Sequence, residues 1–268
     1  MGRGGGGSVW GKKEPKRDPK EVAAEEARAA LDTLLRQIQQ NMAVRNWDAV
    51  DQGTLKTMQL LHKTSELAPV TQSVLAELHG RWGLVMIEQR RFEEAHKHLA
   101  LAEQLFNVDQ GEAVALAARD KITLEGTGPE IDLTLALAVL RALAESAVRI
   151  GDPNGGALLV QVVDVADMVG SDEERWEARE RLATFTSVAG AWEDLLAIAK
   201  DMGRFAQEQR NLHYLLTAMR LFSESYIGIK EMDKAIAAQR LVVDIARFIQ
   251  DSSLATEEAE LSKLHAAL

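Results

Sequence analysis

The sequence predicts an all-α fold, a solenoid of about five to six antiparallel helical hairpins. Three observations carry this. A short phrase returns five times, each time where one helix should turn into the next: Arg45-Asn46-Trp47-Asp48-Ala49-Val50, Arg90-Arg91-Phe92-Glu93-Glu94-Ala95, Gly151-Asp152-Pro153-Asn154-Gly155-Gly156, Gly190-Ala191-Trp192-Glu193-Asp194-Leu195 and Lys230-Glu231-Met232-Asp233-Lys234-Ala235. Their starts lie 45, 61, 39 and 40 residues apart. A period near 40 means stacked hairpins, because one hairpin cannot bury its apolar face without a neighbour. Composition agrees: apolar residues make up 46% of the chain but aromatics only 5%, which suits helix-on-helix packing through small residues. Of the five prolines, Pro15, Pro19 and Pro153 sit at tail or turn positions. Most linkers are two to five residues long, which forces neighbouring helices antiparallel.

Taken in order, residues 1–18 read as a flexible, basic and Gly-rich tail, and 19–268 as the solenoid. Asp18 is expected to cap a first helix that opens on Pro19, a residue suited to the first helical turn. Ala24, Ala27, Leu31, Leu34, Leu35 and Ile38 then recur at helical spacing. Turn signals place the other helices at about 47–66, 70–89, 91–106, 110–124, 131–150, 154–169, 172–189, 191–208, 211–229, 231–250 and 253–267. The interval of 61 residues between the second and third phrases accommodates one extra helix, 110–124, before the longest break, Glu125 to Glu130. That extra helix suggests a subdivision into 19–124 and 131–268.

Within the phrase, a large apolar residue (Trp47, Phe92, Trp192 or Met232) is expected to plug the open end between two helices. Pro153 breaks this rule. Seven residues before each phrase stand Ile38, Gly83, Ala144, Ala183 and Ser223. Four of these are small enough to let two helix backbones approach. The segment Ser73–Phe106 carries Trp82-Gly83, Met86, Phe92, Ala95, Leu99 and Ala102, and 216–249 carries Ser223, Tyr226, Met232 and Ala235. At this spacing the chain resembles the tetratricopeptide repeat family over most of 31–250, with divergent copies. Asn107 stands where that family closes its repeat with proline. The resemblance implies a right-handed superhelix whose inner helices line a peptide-binding groove, and it implies no chemistry.

The net charge of −10 is unevenly spread. Residues 1–20 hold six basic residues against Glu14 and Asp18, a local +4, which leaves −14 on the rest. An acidic body repels nucleic acid. There is no cysteine, which excludes disulfides and thiolate metal sites and fits a reducing compartment. No apolar leader is read near the start, and the apolar stretch Leu133 to Leu140 is far below the roughly 18 residues that span a bilayer. A cytoplasmic, membrane-free protein is expected.

No nucleophile elbow, Walker loop or dinucleotide fingerprint occurs, so no catalytic residue, metal or cofactor is assigned. Glu93-Glu94-Ala95-His96 holds one Glu-x-x-His, but a di-iron bundle needs a second copy. His96 and His98 point about 200° apart on a helix, and His62, His79, His213 and His265 stand alone. The one recurring polar pattern is an arginine on the first helix of each hairpin: Arg36, Arg81, Arg141, Arg181 and Arg220. Seen through the family resemblance, these positions look into the groove, where a ladder of guanidiniums would bind an acidic segment or a terminal carboxylate. The competing reading pairs Arg141 with Glu145 and Arg220 with Glu224 along their own helices. The family's peptide clamp is not expected, since its Lys and Asn positions hold Leu35, Gln39, Gly80 and Leu84. Trp82, Trp176, Phe185, Tyr214 and Tyr226 are candidate anchors, with Trp82 and Tyr226 read as core.

The expected function is that of a non-catalytic adaptor or scaffold that binds a protein or peptide partner through a concave helical groove. The alternative is a structural subunit of a larger assembly, held by its ends, its convex face or its basic tail, as a homo- or hetero-oligomer.

Overall fold

A computed structural model of the chain describes residues 18–107, 110–124 and 132–267. The tail, the break from Glu125 to Glu130 and the basic run at Lys12 lie outside them. Among the described residues there are twelve helices: α1 Pro19–Ala43, α2 Trp47–Thr64, α3 Gln72–Glu88, α4 Phe92–Asn107, α5 Gln110–Arg119, α6 Leu133–Ile150, α7 Gly155–Val169, α8 Asp172–Val188, α9 Trp192–Glu208, α10 Leu212–Gly228, α11 Met232–Ile249 and α12 Leu254–Ala266. The all-α expectation holds, and neighbours in sequence pack on each other: α1 on α2, and α6 through α12 each on the next. No described helix is long and apolar enough to cross a membrane.

The turn phrase has a backbone cause. In all five copies the first residue adopts a left-handed conformation: Arg45 (φ 55°), Arg90 (φ 60°), Gly151 (φ 73°), Gly190 (φ 69°) and Lys230 (φ 64°). The next residue then donates its amide five residues back, as Asn46 does to Asn41 (2.9 Å), Arg91 to Met86 (2.8 Å), Asp152 to Ala147 (2.8 Å), Ala191 to Thr186 (3.2 Å) and Glu231 to Tyr226 (2.8 Å). This is the Schellman closure, which satisfies carbonyls that the helix end would leave bare. Only two of the five positions are glycine, so the feature is hidden from a reading that looks for glycine alone. Entry to the helices is set by side chains: Asp18, Asn46, Asp132 and Asn211 accept amides of the first turn, and Ser171 forms a reciprocal capping box with Glu174.

Contacts divide the chain into two compact units, Met1–Leu78 with Gln104–Glu130, and His79–Glu103 with Ile131–Leu268. In the first unit Ile38 of α1 is buried and sits 3.1 Å from the place a Cβ on Gly53 would occupy. The large and small partners are therefore exchanged here: the bulky residue is on the first helix and the glycine on the second. The extra helix is shorter than expected. It ends at Arg119, Lys121 turns left-handed (φ 56°), and the chain runs extended to a single parallel bridge between Val70 and Leu124. The β-branched pair Ile122-Thr123 favours that extension. The same bridge delays the start of α3 to Gln72, whose side-chain amide donates to the Leu105 carbonyl (2.6 Å).

In the second unit the small positions do what their size permits. A Cβ at Gly83 would collide with Leu99, and Ala144 and Ala183 are buried in separate clusters. Ser223 is also buried, and its hydroxyl donates to the Ala235 carbonyl (3.4 Å). The clusters follow the helix pairs. Leu137, Leu140, Leu159 and Val162 join α6 to α7, Trp176, Leu195, Met202 and Phe205 join α8 to α9, and Leu216, Val242 and Ala246 join α10 to α11. The plug residue of the fourth phrase has a wider reach than expected: Trp192 packs on the α8–α9 cluster and also covers Gly228 at the end of α10.

Candidate partner-binding groove

The five arginines of the expected ladder have different fates. Arg36 on α1 is exposed, and its Nε donates to the Asp32 carbonyl of its own helix (3.2 Å). Arg81 on α3 is half-buried. Arg141 on α6 is engaged by Glu174 on α8, through Oε1 (3.4 Å) and the backbone carbonyl (3.0 Å). Arg220 on α10 is engaged by Glu257 on α12 (2.8 Å) and by the Ser253 hydroxyl (2.5 Å). Arg181 on α8 is exposed, and it has no hydrogen-bond or ion-pair partner among the described residues.

Arg141 and Arg220 thus do not pair along their own helices. Glu145 lies 3.9 Å from Arg149 instead, and Glu224 accepts the Ser187 hydroxyl. Each of these arginines reaches one hairpin onward, to the first turn of the next first-position helix. Glu174 has two tasks: its Oε2 accepts the Ser171 amide (2.8 Å) while its Oε1 meets Arg141. The Ser171 hydrogen bonds, with help from Arg141, hold its carboxyl below the usual value.

The arginine that does most to join helices was not in the ladder. Arg179 is 7% exposed; it grips Asp167 of α7 with two parallel bonds (2.8 and 2.7 Å) and Asp201 of α9 with a third (2.7 Å). Its guanidinium and that of Arg175 lie 5.1 and 4.8 Å from the Phe205 ring centre. Beside it Trp176 stacks on Tyr214 at 4.1 Å and 6°. Trp176 is therefore core, not a free anchor. His79, expected to stand alone, meets His98: the two share an Nδ1–Nδ1 contact of 3.0 Å, and Trp82 stacks on His98. Burial, with a further contribution from His98, lowers the His79 pKa to about 3. Among the described residues no three His, Asp or Glu side chains gather as a metal site.

One groove runs between α6 and α8, with Leu159 of α7 in its lining. It encloses about 580 Å³, with Val148, Leu159, Phe185 and Val188 as its apolar floor and rim. Val188 is 85% exposed. Charged walls rise from Glu145 and Arg149 on α6 and from Glu177, Glu180 and Arg181 on α8. A second cavity of about 510 Å³ shares Glu145 and Arg149 and continues to Ile87, Glu88, Arg90 and Phe92. There Arg149 stands 5.8 Å over the Phe92 ring. Of the five ladder arginines only Arg181 lines this groove. Arg149, Glu177, Glu180 and Val188 were missed, although Glu173, Glu177 and Glu180 sit at the i, i+4, i+7 spacing that puts them on one helix face. No protein-family model matches the sequence, and no curated protein matches it significantly.

Proposed function

We propose that the protein is a non-catalytic interaction module, an adaptor that holds a segment of a partner protein in the groove across α6 and α8. The observation that carries this reading is an apolar strip, with Val188 and Val148 left facing solvent, set between charged walls on successive first-position helices. Exposed apolar patches rimmed by polar residues mark binding surfaces, and concave sites of this size suit an extended or helical segment. On this reading the hairpins continue as a right-handed, tetratricopeptide-like solenoid that works in the cytoplasm.

The test is a photo-crosslinking residue placed at Val188 and, separately, at Phe248, in the native host. Capture of the same partner from position 188 and not from 248 supports the groove. Capture from 248 alone favours a second reading, a subunit of a larger assembly attached by its outer helices. One feature supports that reading: Leu241 and Phe248, seven residues apart on α11, are 52% and 78% exposed and face the same side.

A further inference from the structure

We propose that the groove's occupant is a basic segment: one apolar residue seated on Val148, Phe185 and Val188, flanked by lysine or arginine that reaches Glu177 and Glu180. This rests on the binding-surface reading above and names the chemistry of its partner.

The carboxylates around the groove are not equivalent. On α8 and the helices beside it other acidic groups are neutralised within the chain: Asp167 and Asp201 by Arg179, Asp172 by Arg175, Glu174 by Arg141. Glu177 and Glu180 are half-buried, yet among the described residues neither carboxylate has a hydrogen bond or an ion pair. Arg181 lies four residues from Glu177, a spacing that permits an ion pair on a helix, and none forms. Among the described residues Glu145 has only the long 3.9 Å contact to Arg149, whose guanidinium also attends Phe92.

The field of the α8 carboxylates reaches α10. The Tyr214 hydroxyl on α10 is pushed up by burial and then by Glu173, Glu180, Asp172 and Glu177. A cation arriving at half-buried carboxylates interacts through a medium less screening than bulk water. An acidic segment would bring like charge to the same wall and be repelled. Of the ladder arginines that would have favoured it, Arg141 and Arg220 are engaged by Glu174 and Glu257; Arg181, with Arg149, does line the groove, but the two face three carboxylates, Glu145, Glu177 and Glu180. Val188 supplies the anchoring contact, because an apolar side chain so exposed gains most from being covered.

The experiment uses the full chain and three series of short fluorescent peptides. Each peptide has a central Leu or Trp, flanked by Lys and Arg, by Gln, or by Glu and Asp. Anisotropy is read at low and high salt, for wild type, for Glu177→Gln with Glu180→Gln, for Val188→Ser and for Asp244→Asn as a distant control. Neither glutamate holds the fold and Val188 is exposed, so all variants should melt like wild type. The expected result is that the basic series binds tightest, weakens with salt, loses about tenfold with the paired carboxamides and weakens with Val188→Ser, while Asp244→Asn changes nothing. Tighter binding of the acidic series, or basic binding indifferent to the carboxamides, overturns the charge assignment and leaves the groove standing if Val188→Ser still matters. If no series binds and position 188 captures nothing, the groove reading itself fails.

Discussion

The Trp192 indole occupies the space that a side chain at position 228 would need. The contact joins the fourth turn phrase to the end of α10, so the phrase connects hairpins as well as closing its own. Gly228→Ala must displace an aromatic ring, and overpacking of this kind costs about 1–3 kcal/mol. Thermal melts of this variant and of Gly228→Ala with Trp192→Leu measure it; the second change should recover part of the loss.

Arg179 ties α7, α8 and α9 through Asp167 and Asp201. Arg179→Met keeps the stem and removes the charge. Asp167 and Asp201 reach solvent, so the cost should fall below that of breaking a fully buried pair, at about 2 kcal/mol. The pair also sets an acid response. Hydrogen bonds from Arg179, then Arg175, lower the Asp167 pKa. A carboxyl depressed in the folded state gives stability that is present above its unfolded value and is lost as pH falls through the folded one. Urea titrations should therefore show the gap between wild type and Arg179→Met at pH 7 narrowing below pH ~4.

His79 gives a second acid response in a different window. Its folded pKa of about 3 lies below the ordinary 6.5, so the unfolded chain binds a proton first. Stability is complete above pH 6.5 and is lost progressively as pH falls towards 3, by an amount on the order of a few kcal/mol. In His79→Leu the slope of stability against pH should flatten between those limits. An unchanged slope would remove His79 as its source.

The left-handed turn residues predict a pair of opposite effects. Gly190→Ala places a Cβ at φ 69° and should cost about 1 kcal/mol. Lys230→Gly relieves the same strain at φ 64°, against the entropy that glycine adds to the unfolded chain, and should be neutral or stabilising by up to about 1 kcal/mol. Denaturant midpoints of the two variants decide it.

Arg220 clamps the start of α12, where Gln239 of α11 also reaches Glu257 (2.8 Å). In Arg220→Gln the amides of α12 should exchange faster while those of α6 to α8 keep their protection. Hydrogen exchange with mass spectrometry reads both in one experiment.

The helices were legible in the sequence because turn phrases and apolar periodicity are local signals. The limits of α6 to α12 fall within a few residues of expectation, and Asp18 caps α1 as read. The extra helix was overdrawn because its last residues leave for the bridge to Val70, a contact across more than fifty residues that no local pattern announces. The site was less legible for the same reason. Counting back from the turns found Arg141 and Arg220 but could not see that they look along the stack to Glu174 and Glu257. It also passed over Arg179, whose partners lie twelve and twenty-two residues away. The face Glu173-Glu177-Glu180 was readable as spacing; that two of its members lack partners was not.

Glu174 is both the lid on the first turn of α8 and the strut that holds Arg141. Fraying of that turn therefore does not stay local: it withdraws the carboxylate and the carbonyl from α6 at once. Neighbouring hairpins in such an array share a stability term, and α8 passes its own loosening backward along the chain. The corresponding strut at Glu257 sits in the final described helix, where a fray has only α10 and α11 to disturb. Thermal opening should accordingly be cheapest at α12, and a break at the start of α8 should release the α6–α7 hairpin with it.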